Sequence, residues 1–109
     1  MNNVYSAVVV PDNTPTVVNG ITVPARSAYS LKGLIIWCKA DCIIEIKKNV
    51  DTIGGGLVTG SVQTLHIDFS ASPIGLEAAD VITVIATQDD TLTPPASYEV
   101  RSTLLVEQL

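Results

Sequence analysis

The chain has 109 residues, 47% of them hydrophobic and 16% charged, with six Lys+Arg against eleven Asp+Glu, one His and two Cys. That length fits one domain able to bury a core without staples, and the apolar content excludes intrinsic disorder. A formal charge of −5 argues against a binder of phosphate backbones, and one histidine excludes a histidine pair or a multi-histidine metal site. Fourteen Val, eleven Ile and eleven Thr make about a third of the chain β-branched. Such side chains lose rotamer freedom on a helix and pack well on a pleated surface. Lys, Glu, Gln, Met and Arg are scarce, and Gly and Pro punctuate the whole length. An all-β protein is expected: an antiparallel β-sandwich of jelly-roll or similar Greek-key type, with about seven to nine short strands.

In chain order, residues 3–10 (NVYSAVVV) read as a first strand, stopped by Pro11-Asp12-Asn13. Thr16–Val18 is a short apolar piece, Asn19-Gly20 a hairpin turn signal, and Ile21–Val23 the return strand ended by Pro24. Ser27–Lys39 is the next strand; its continuous apolar run Leu34–Cys38 suggests cover on both faces or a subunit contact. After a turn at Lys39-Ala40-Asp41, Cys42–Asn49 alternates, with Cys42, Ile44 and Ile46 on one face and Ile43, Glu45 and Lys47 on the other. Val50–Gly60, with Gly54-Gly55-Gly56, is expected as a flexible or bulged connection around a weak strand. Val62–Phe69 alternates cleanly, Leu65, Ile67 and Phe69 inward against Thr64, His66 and Asp68 outward. Ser70–Asp80 is a loop, Val81–Thr87 a strand, Gln88–Ala96 a polar loop, and Tyr98–Val106 the last strand.

The chemistry-bearing residues form no catalytic constellation. Cys38 and Cys42 are separated by three residues across a turn; two thiols and His66 close a zinc site only with carboxylates or a neighbouring subunit, so small buried hydrophobes, a disulfide or such a metal site are the readings. His66 and Asp68 share a face but lack a nucleophile in a recognisable setting. The glycine run lacks the Lys-Ser/Thr and the helix of a phosphate-binding loop, and Asp12, Asp41, Asp51 and Asp89-Asp90 follow no calcium-loop pattern. Aromatics for a glycan face are limited to Tyr5, Tyr29, Trp37, Phe69 and Tyr98. No catalytic residue, cofactor or metal is therefore expected, and the protein is not an enzyme on this reading. No membrane-spanning apolar run or targeting segment is visible, so a soluble protein made in the cytoplasm is expected.

Three segments carry a resemblance: VVVPDNTPTVVNGITVPARSAYSLKGLIIW, ADCIIEIKKNVDTIGGGL and SPIGLEAADVITVIA, the last with Pro73-Ile74-Gly75-Leu76 and Asp80 before an apolar strand. Over most of its length the chain resembles small virion structural proteins of tailed bacteriophages, of the capsid decoration (cement) or fibre type. The resemblance implies a homo-oligomer, with a trimer favoured, bound to the major capsid protein or another virion component, without nucleic acid or membrane. Its alternative is a glycan- or host-surface-binding module of a phage fibre. One domain over 1–109 is expected, with 1–24 (carrying Pro11, Pro15 and Pro24) a possible extended arm. The interface is expected at Tyr5, Val9, Ile35, Trp37 and Ile43, since strands apolar on both faces would leave exposed patches in a monomer.

Overall fold

A computed structural model describes residues 3–11, 14–59, 63–88 and 97–109. Among these lie nine strands and no helix: β1 (Val4–Val10), β2 (Thr16–Thr22), β3 (Tyr29–Cys38), β4 (Cys42–Lys48), β5 (Asp51–Val58), β6 (Thr64–Asp68), β7 (Ile74–Leu76), β8 (Val81–Gln88) and β9 (Tyr98–Gln108). They form two antiparallel sheets. The first runs β1-β9-β3-β6, with β7 also paired to β3; the second runs β2-β8-β4-β5. With the short β7 set aside, first pairs with last, second with next to last, third with sixth and fourth with fifth. That is the nesting of one long folded hairpin rolled over on itself, the jelly roll.

The interior follows from the two-residue strand period. Tyr98, Val100, Ser102, Leu104 and Val106 of β9 all point inward, against Leu34 and Ile36 of β3, Ile44 and Ile46 of β4, and Ile82, Val84 and Ala86 of β8. Each fully buried Leu or Ile adds roughly 1.5–3 kcal/mol over its exposed state.

The first 24 residues include two integral strands. β1 pairs with β9 from Val4 opposite Leu104 to Val10 opposite Tyr98, and β2 pairs with β8. Asn19-Gly20 is not a hairpin turn. Both residues lie within β2, which continues through them from Thr16 to Thr22 with a bulge between Val17 and Asn19. The bulge leaves Val18 and Asn19 both buried, and β8 demands a partner of comparable length. The tight turn falls at Asn49-Val50, between β4 and β5, with Asn49 at φ 56°. Asn tolerates this left-handed region better than most residues with a Cβ.

Two further segments differ from expectation. Residues 51–58 carry the expected bulge, opposite Ile46 and Lys47, but within a full edge strand, β5, rather than a connection around a weak one. Its glycines are not there for a turn, since no glycine among the described residues has positive φ. They are there for closeness: a Cβ on Gly56 would sit 2.8 Å from Leu65 Cδ2, and one on Gly54 would sit 3.0 Å from Phe69 Cζ. The segment 70–80 carries β7, which extends the first sheet beside Tyr29–Leu31. The polar loop expected over 88–96 lies, apart from Gln88, outside the described residues.

Candidate functional site

The first sheet has an outward face built by four strands. Every second residue of β1 (Tyr5, Ala7, Val9) points out beside Glu99, Arg101, Thr103 and Leu105 of β9, then Ile35 and Trp37 of β3, then His66 and Thr64 of β6. The registers arrange them in rows. Tyr5 is opposite Thr103, which is opposite Ile35, which is opposite His66; Ala7, Arg101, Trp37 and Thr64 form the next row. Tyr5 is 64% exposed, Val9 66% and Ile35 40%. Trp37 is half-buried, with the Arg101 guanidinium 5.4 Å from its ring centroid. Arg101 Nε also donates to Glu99 Oε1 at 2.7 Å, which raises the Arg101 pKa further above its ordinary value. A guanidinium fixed between a carboxylate and an indole face stiffens the middle of the sheet surface.

Of the five residues expected at an interface, Tyr5, Val9, Ile35 and Trp37 come together on this face. Ile43 does not, because β4 belongs to the second sheet. There it is 48% exposed and stands in a row with Thr87 and Leu57, near Val17 and Ile85. Arg101, Thr103 and Leu105 join the first face unannounced. Their outward parity was readable from the alternation of β9, but the placement of β9 between β1 and β3 was not.

The other candidates have structural surroundings. Asp68 Oδ1 accepts from the Ser70 amide at 2.8 Å. Hydrogen bonds from Ser70, with a smaller contribution from His66, hold its carboxyl below the usual range. Its carboxylate is thus engaged by the following turn rather than orienting the imidazole as a catalytic relay requires.

Cys38 and Cys42 are both buried and unpaired, and Cys42 Sγ donates to Ala40 O at 3.3 Å. Hydrogen bonding to Cys38 pushes the Cys42 thiol far up, with burial and the charge of Asp41 adding to it. Neither Cys42's surroundings nor its ionisation fits a nucleophile.

Of the scattered aspartates, Asp41 lies in the β3–β4 turn and Asp51 opens β5; Asp12, Asp89 and Asp90 lie outside the described residues. Among the described residues no group of three His, Cys, Asp or Glu is placed to hold a metal.

An open depression of about 570 Å³ lies beside Tyr29, Lys48, Asn49, Glu77 and Asp80. Its polar groups are occupied with one another. Asp80 accepts from the Glu77 amide at 2.9 Å and from Asn49 Nδ2 at 3.1 Å, and Asn49 Oδ1 accepts from the Val81 amide at 2.9 Å. These bonds, with Lys48 Nζ at 3.8 Å, keep the Asp80 carboxyl below its ordinary pKa. The cluster ties the β4–β5 turn to the entrance of β8.

Comparison with known proteins finds no matching family model, no similar curated protein and no similar solved structure.

Proposed function

We propose that the chain is a non-enzymatic structural protein of a virus particle, a capsid decoration (cement) protein that self-associates and binds the phage shell through the outer face of its first sheet. The observation that carries this reading is the outward placement of exposed Tyr5, Val9 and Ile35 and half-buried Trp37 on one four-stranded face. Outward apolar residues grouped on one face mark interaction surfaces, and aromatic residues with Arg, here Arg101 of the intervening β9, are enriched at them. The jelly-roll connectivity recurs in viral capsid proteins, which supports the reading by analogy of fold. The charge of −5 suits a protein outside a shell, where it does not compete for the packaged genome.

Light scattering tests the self-association. The expected mass is near three times 11.5 kDa, falling to the monomer for Ile35→Glu while the circular dichroism of the sandwich is retained. A clean monomer of the unmodified chain at micromolar concentration overturns it. Co-sedimentation with capsids lacking the protein then tests the second half: binding lost in Tyr5→Glu places the shell contact on this face.

A second reading, a glycan- or host-surface-binding module of a phage fibre, draws on the Arg101-backed Trp37 ring beside the Tyr5 row. It requires hits on a glycan array that disappear in Trp37→Ala; an array without hits removes it.

A further inference from the structure

The β3–β4 corner holds the only two thiols of the chain. Cys38 ends β3 in the first sheet and Cys42 begins β4 in the second, so Lys39-Ala40-Asp41 carries the chain across the sandwich. Both side chains turn inward from facing sheets, 0% and 1% exposed, at the two ends of a three-residue crossing. Register fixes their surroundings: Cys38 lies opposite Val100 of β9, and Cys42 lies between Val58 of β5 and Gln88 of β8. Two inward-facing thiols joined by so short a bend meet the first requirement of a disulfide, side chains directed toward one another rather than apart.

The same corner discriminates between the products two thiols can give. A soft metal ion requires thiolates, and burial with the nearby Asp41 carboxylate opposes that charge. A disulfide is neutral and fits an apolar interior.

We propose that Cys38 and Cys42 form an intrachain disulfide that clasps the two sheets at the β3–β4 corner when the chain folds in the presence of a low-molecular-weight disulfide such as oxidised glutathione. One cysteine loses its proton and attacks a glutathione sulfur. The glutathione S–S bond breaks, a mixed disulfide forms and one glutathione thiolate leaves. The second cysteine, likewise deprotonated, attacks the protein-side sulfur of that mixed disulfide and expels the second glutathione. The two protons end on the released glutathione thiols, so the protein is oxidised by two electrons and one oxidised glutathione is reduced. In the folded chain both sulfurs are shielded and Cys42 is hard to ionise, so exchange proceeds on the unfolded or opening chain. Once closed, the bond is sheltered from reductants by the same burial.

The test uses the full chain, unfolded in guanidinium chloride and refolded with oxidised glutathione. It is then unfolded again in iodoacetamide and its intact mass measured. The expected result is a mass lower by two hydrogens with no alkylation, a higher Tm than the reduced chain, and resistance of the folded form to dithiothreitol that guanidinium chloride abolishes. Two alkylated cysteines, glutathione adducts that persist on the chain, or covalent dimers each overturn the proposal. So does an oxidised monomer whose near-ultraviolet dichroism differs from that of the reduced fold. A parallel arm soaks the reduced folded chain with Cu(I); two-thiolate binding there, with no disulfide on refolding, also overturns it.

Discussion

Where β1 faces β2, the two sheets are held by an amide; where β5 faces β6, they meet over bare backbone. At the first seam Asn19 of β2 reaches across the interior. Its Nδ2 donates to Val4 O of β1 at 3.0 Å and to Ser102 Oγ of β9 at 3.1 Å, while its Oδ1 accepts from the Gly20 amide at 2.7 Å. At the second seam Leu65 and Phe69 lie against Gly56 and Gly54. A polar pin specifies one alignment, because a sliding strand would strand a buried amide. An apolar seam over glycine is set by contact distance alone and tolerates no added volume. One seam is sensitive to lost atoms, the other to gained ones.

Substitutions can break that contrast, and a truncation between the seams sets the scale. Ile36→Ala, in the centre of the core, is expected to cost about 2–5 kcal/mol in chemical denaturation. Gly56→Val should cost about 1–3 kcal/mol by overpacking. Leu65→Ala in the same chain should return part of that loss, since the Leu65 methyls are the atoms in the way; a loss that stays additive contradicts the seam. Asn19→Leu should cost about 1–2 kcal/mol, because the Ser102 hydroxyl and the Val4 carbonyl lose a buried donor. If both seam variants prove neutral, the sheets are held by the core alone.

Away from both seams, Ala79 sits at φ 72°, so Ala79→Gly should raise stability by about 0.5–1 kcal/mol, seen as a higher denaturation midpoint. The smallest expected effect is that of acid. Asp68 and Asp80 have folded pKa values below the ordinary carboxylate value. Their contribution is therefore complete above the unfolded value of about 4 and lost as pH falls through the lower folded values. Tm should be level from neutral pH to about 5 and decline below about 4, and Asp80→Asn should flatten that decline. A fall beginning nearer neutrality would point to groups other than these two carboxylates.

Strand parity was legible in the sequence. Cys42, Ile44 and Ile46 turn in, as do Leu65, Ile67 and Phe69 relative to His66 and Asp68, and the whole inward row of β9. The individual side chains of the outer face were legible too, as apolar residues that one buried face could not absorb. What could not be read was anything decided across the chain. Asn19-Gly20 has the local chemistry of a turn, and only β8 and the amide's distant partners explain why it stays extended. Gly54-Gly55-Gly56 looks like a loop until Leu65 and Phe69 are placed beside it. Tyr5 and Trp37 share a face only because β9, more than sixty residues past Trp37, lies between their strands.

That position of β9 also sets an order of events during synthesis. The strands β2, β8, β4 and β5 can pair as soon as residue 88 has been made. The first sheet cannot: β1 and β3 touch only through residues 98–108, so its middle is empty until the last strand arrives. Pairing of such distant segments places folding in the slow range of milliseconds to seconds. Through that interval the edges of β1 and β3 that β9 will fill stand unpaired, and a chaperone or a second nascent chain has its widest opportunity to engage them.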